Sequence, residues 1–132
     1  FFLLDSNPLF ISFDPIQAED KLPSVAFNIT AKWTMPFQQC VISLRETWFE
    51  DATLRRFESD LVGLLNRQSD SVELKNMHEH SVLTITSVEN IFTLKFVGRD
   101  TAKTGEIILN TDIYEEEVTK IIENIKNWDK WW

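Results

Sequence analysis

Cysteine is nearly absent from this 132-residue sequence, where Cys40 stands alone. A disulfide framework is thereby excluded, and a reducing cytosol is the simpler context. Glycine is scarce too. Average usage of about 7% would give roughly nine, yet only Gly63, Gly98 and Gly105 occur, and they fit no phosphate-cradling loop. Nucleotide-loop enzymes are set aside on that ground. Positive charge is short: 13 Lys plus Arg face 21 Asp plus Glu, a net charge of −8. That balance disfavours a general phosphate-backbone binder, which needs a basic stripe to release counterions. No apolar run approaches the roughly 18 residues of a membrane helix. Phe1–Leu4 meets Asp5 at once, without the basic start or cleavage site of a signal peptide. The chain opens on Phe1 rather than Met, so further residues ahead of it are expected. What is present, 43% apolar and 26% charged residues, suits one soluble globular domain. A core at this length needs neither metal nor disulfide.

The first forty-five residues read as strands. Apolar stretches at Phe1–Leu4 and Leu9–Phe13 flank the turn signal Ser6-Asn7-Pro8. The aperiodic, proline-bearing stretch 14–24 reads as a surface loop. Val25, Phe27, Ile29, Ala31 and Trp33 then alternate strictly, the period of a strand with one buried face. Met35-Pro36 turns the chain into a second alternating strand carrying Cys40, Ile42 and Leu44. From Thr47 the period lengthens, and Leu54, Phe57, Leu61, Leu64 and Leu65 mark one helix face. Thr47 and Glu50 have capping-box spacing, with Asp51 and Thr53 as alternative caps. A short strand at Val72–Leu74 and a turn over Asn76–His80 follow. Next come Val82–Val88 and Ile91–Val97, a hairpin joined at Glu89-Asn90. After a polar loop at Gly98–Gly105 and a strand at Glu106–Asn110, Asp112 opens a second helix. Its core stripe is Tyr114, Val118, Ile121, Ile122, Ile125 and Trp128.

No repeat or linker is visible. The pattern predicts one α+β domain over residues 1–132, a mostly antiparallel twisted β-sheet of about six to eight strands. Two amphipathic helices, at about 51–66 and 112–128, pack against it. The expected core is Phe27, Ile29, Trp33, Ile42, Leu44, Leu54, Phe57, Leu61, Leu65, Ile85, Leu94, Phe96, Ile121 and Ile125.

Candidate chemistry is sparse. His78 and His80, two apart in an extended segment, project to one side, but the sequence marks no third ligand. Two solvated histidines in a turn is the better reading, and no metal is expected. Cys40 would need a base and an orienting group to act as a nucleophile; beside Ile42 and Leu44 it reads as a small buried hydrophobe. Glu115, Glu116 and Glu117 precede Lys120, Lys126 and Lys130 along one helix, the order the helix dipole favours. Glu116 and Lys120 also have supporting i, i+4 spacing. The same acids are available to a basic partner. Adjacent Trp131 and Trp132 cannot both point inward from one helix. Either the chain end folds back over the sheet, or an indole is exposed as a contact. Glu115, Glu116, Glu117, Trp131 and Trp132 are therefore the candidate partner-contact residues. A paired-carboxylate hydrolase needs two acids at a set separation across a cleft, and none of the 21 acids is singled out. No catalytic residue or cofactor is expected.

One resemblance sharpens this picture. Val41-Ile42-Ser43-Leu44-Arg45 leads into Leu54-x-x-Phe57-x-x-Asp60-Leu61-x-x-Leu64-Leu65. The Val72–Leu74 strand, the Leu83–Val97 pair, the Gly105–Asn110 strand and a closing helix follow. Over residues 37 to 128 this order resembles the WapI-like immunity proteins of bacterial polymorphic toxin systems. The resemblance implies a cytoplasmic protein that neutralises a cognate toxin domain by occlusion, with no catalytic residues of its own. Toxin domains that attack nucleic acids are expected to be basic, so an acidic inhibitor gains association rate and orientation from opposite charge. Rival readings are an acidic secretion chaperone, cradling an extended client along a sheet edge, and a small-ligand-binding domain with an apolar pocket. An enzyme, which needs polar groups converging in a cleft, ranks behind both.

Overall fold

Strict alternation from Val25 to Trp33 builds the central strand of the amino-terminal half. The structure is a computed structural model that describes residues 1–100, 102 and 104–132. In it β1 (Phe2–Ser6), β2 (Leu9–Glu19), β3 (Ser24–Met35) and β4 (Gln38–Glu50) pair antiparallel in chain order. Helix α1 (Asp51–Leu65) follows. A second four-stranded antiparallel sheet comprises β5 (Ser71–Lys75), β6 (Ser81–Val88), β7 (Ile91–Arg99) and β8 (Glu106–Ile113), and α2 (Glu115–Lys126) closes the chain. The single sheet expected is thus two sheets. Helix α1 carries the chain away from the edge of the first ladder, and β5 starts a new one.

The order of four strands and a helix occurs twice, although the sequence shows no repeat. Helix α1 rests on β5, α2 rests on β1, and the helices touch each other. The sheets meet where β4 lies against β7. A Cβ on Gly98 would sit 3.0 Å from Ile42 Cγ2 and 3.2 Å from Leu44 Cδ2, so only a glycine admits this approach without displacing a neighbour. The Met77 N–H also donates to the Trp48 carbonyl at 2.9 Å, bridging the β5–β6 turn to β4.

Phe27 centres the core. Its ring lies 5.4 Å from Phe13, 6.0 Å from Phe49 and 6.0 Å from Trp128, centroid to centroid. Burying each large side chain here contributes roughly 1.5–3 kcal/mol. Phe57, Leu61 and Leu64 of α1 and Val118, Ile121, Ile122 and Ile125 of α2 complete the interior. Ten of the expected core residues are buried, while Trp33, Leu44, Leu54 and Leu65 are half-buried at its rim.

Several boundaries differ from expectation. The loop expected over 14–24 is mostly strand: β2 runs to Glu19, and Pro15 is tolerated because the register shifts between Pro15 and Gln17. Residues 46–50 extend β4 instead of opening the helix, since burying Phe49 in the sheet satisfies a period of two. Thr47 pairs with Phe27, and Glu50 at the N-cap makes no side-chain cap bond, so the capping box does not form. Asp112 does not open α2. It belongs to β8, where it pairs with Thr93 of β7 and accepts from Thr93 Oγ1 at 3.1 Å. Tyr114 is the N-cap and 74% exposed, so it leaves the core stripe, and Ile113 is buried in its place. β7 continues through Gly98 to Arg99; positions 101 and 103 of the expected loop lie outside the described residues. Among the described residues, no helix is long and apolar enough to cross a membrane.

Candidate functional site

Each sheet has two edge strands, and the fold treats them unequally. β1 has five residues and is covered: its Phe2 carbonyl accepts from Trp128 Nε1 at 2.9 Å and its Leu3 carbonyl from Asn124 Nδ2 at 3.0 Å. β5 also has five residues, has a register shift before Lys75 and lies beside α1. β4 is disrupted near Glu46, which has a φ of 50° and donates its N–H to Asn28 Oδ1 at 3.0 Å. Its upper part is further held by Met77. β8 has none of these devices. It pairs with β7 over eight residues without a register shift and contains neither Lys nor Pro. Ile107 is 50% exposed and Ile108 41%, on opposite faces of the strand.

This edge is also acidic. From Thr104 to Thr119 the chain carries Glu106, Asp112, Glu115, Glu116 and Glu117 and not one Lys or Arg. Glu106 Oε2 accepts from Arg99 Nε at 3.1 Å and Nη2 at 2.8 Å, an exposed pair that adds little stability. Glu115 and Glu116 are exposed and Glu117 half-buried in the first turn of α2, where the helix dipole favours negative charge. Lys120 pairs with Glu123 at 3.8 Å rather than with Glu116.

Beside the start of β8 lies a groove of about 630 Å³ between the two sheets. Leu44, Trp48, His80, Gly98, Arg99 and Ile107 are among the residues lining it. His78 and His80 both face it, with ring centroids 6.4 Å apart. Among the described residues, no group of three or more His, Cys, Asp or Glu is placed to hold a metal. Cys40 is half-buried at the edge of the core, opposite Trp33.

The two tryptophans part company. Trp132 packs edge-on against Phe27 at 5.6 Å and donates to Asp51 Oδ1 at 3.1 Å, tying the chain end to the start of α1. Trp131 stays 53% exposed. The 12-residue α2, about 18 Å long at 1.5 Å per residue, separates them from Glu115–Glu117. The expected contact residues therefore occupy two places, and the acidic one joins the open edge of β8. The sequence marks 106–110 as a strand but not as an edge. The signal was Ile107 beside Ile108, apolar on both faces, in a stretch without Lys or Pro. No family model, curated protein or solved structure matches this chain.

Proposed function

We propose that this chain is an acidic protein-binding domain of the immunity type, which neutralises a basic toxin domain by covering its working surface. The observation that carries this reading is the run from Thr104 to Thr119, with five acids and no base, set on an open strand edge and an exposed helix turn. Opposite charge steers a basic partner toward such a surface and suppresses wrong partners. Binding, not catalysis, is the activity proposed, and it takes place in the cytoplasm, where Cys40 stays reduced. The test is co-expression with the carboxy-terminal domain encoded by the neighbouring reading frame. Rescue of growth and a complex in pull-down are expected. The absence of both rescue and complex overturns the reading, and binding only to an unfolded segment of that neighbour makes the chain a secretion chaperone instead.

A further inference from the structure

We infer that β8 is the docking edge, and that the partner adds a basic, extended strand to it and so continues the second sheet. This inference rests on the immunity reading for the partner's charge, but its geometry stands on the strand itself. A row of unpaired backbone groups templates another strand, and folded proteins normally blunt such edges with bulges, Lys, Pro, short length or a covering element. β1, β4 and β5 each carry at least one of these devices, while β8 over its eight residues carries only two charges, the acids Glu106 and Asp112 near its ends, which repel another acidic edge but attract a basic strand. Main-chain bonds supply affinity in strand addition, and side chains on alternate positions supply selectivity. Here the alternate positions are Ile107, Leu109, Thr111 and Ile113 on one face of the strand, and Glu106, Ile108, Asn110 and Asp112 on the other.

Two occupants compete with a basic strand for this edge, and charge disfavours one of them. Antiparallel pairing with a second copy sets the acidic end of each β8 near Glu106 of the other, a like-charge juxtaposition. The residual rival is a different edge. β4 is regular from Gln38 to Leu44, but that stretch contains no charged residue, so it offers a basic strand nothing that β8 does not exceed.

The probe is a hairpin peptide of alternating lysine and valine closed by a D-Pro-Gly turn, titrated into the full chain at low salt. Amide shifts and slowed hydrogen exchange confined to 106–113 are expected. The same hairpin N-methylated at alternate outward amides should not bind. Ile108→Lys places a cation on the edge and should weaken binding by about tenfold or more through like-charge repulsion. Val41→Lys, on the other regular edge, should leave binding unchanged. Both positions are exposed, and urea midpoints verify that both variants fold.

Shifts centred on 38–44, equal binding by the N-methylated hairpin, or no binding overturns the inference. So does a dimer in sedimentation that Ile108→Lys dissolves, because the occupant is then a second copy. The two readings fail separately. Full growth protection by Ile108→Lys removes the edge and leaves immunity standing. Strand addition at β8 without rescue by the wild-type chain does the reverse.

Discussion

At the residue scale, the shortage of glycine has a local cost. Six non-glycine residues described here have positive φ, namely Phe37, Glu46, Arg67, Glu79, Glu89 and Asn90, and no glycine does. Phe37 is the least suited of them. It follows Pro36 in the two-residue turn between β3 and β4, at a φ of 67°, and its side chain is fully exposed. A left-handed conformation costs an L-residue roughly 1–2 kcal/mol, and the exposed ring recovers none of this by burial. Phe37→Gly should therefore raise stability by about 0.5–1 kcal/mol, after allowing for the greater freedom of glycine in the unfolded chain. A urea midpoint that falls instead shows that the ring makes a stabilising contact. Gly98 is the opposite case. Its nearest neighbour is Ile42 Cγ2, on a β-branched side chain that is 5% exposed and stiff about χ1, so it cannot swing aside. Gly98→Ala should cost about 1–2 kcal/mol by overpacking, with the loss appearing in the unfolding midpoint. An unchanged midpoint means the sheets separate without penalty.

At the element scale, α2 does more than cover the core, because two of its neighbouring side chains stand in for a strand along β1. Trp128→Phe keeps a ring against Phe13 and Phe27 but removes the N–H that satisfies the Phe2 carbonyl. Losing a bond to a partly buried carbonyl costs about 1–2 kcal/mol. Amide exchange in β1 should accelerate more than exchange in β6 or β7. Equal acceleration everywhere would mean that β1 and the core open together. The elements differ in how far their residues reveal them. The Glu89-Asn90 turn was legible because two strongly β-favouring runs flank a polar pair, and these residues adopt φ of 51° and 73°, positive at both centres as in a type I′ turn. The end of β4 was not legible, because Thr47, Glu50 and Asp51 imitate a helix start while only Phe49 declares the strand. The division into two sheets was hidden for another reason. Alternation tells which face of a strand is buried, but not which edges join. For the same reason Glu115–Glu117 could be singled out in advance, whereas the open edge of β8 beside them could not.

At the scale of the whole molecule, a net charge of −8 acts in opposite directions on folding and on association. Within the folded chain it is self-repulsion. The described ion pairs all involve at least one substantially exposed group, Asp51 with Arg55 at 2.7 Å included, and such pairs offset little of it. Raising NaCl from about 0.01 M to about 0.1 M shortens the Debye length from ~30 Å to ~10 Å. The urea midpoint should rise over that range, and a fall would mean that the individual pairs outweigh the net repulsion. Association with a basic partner should respond with the other sign, its on-rate falling as salt rises while the off-rate changes less. Glu115→Gln with Glu116→Gln isolates the part owed to the acidic turn. At low salt this variant should associate more slowly than the wild type, and at high salt the two on-rates should converge, because steering is screened but contacts are not. A gap that stays constant across the salt range would show that these carboxylates act by touching the partner. They would then belong to the interface itself, with the strand edge of β8 as their neighbour rather than their destination.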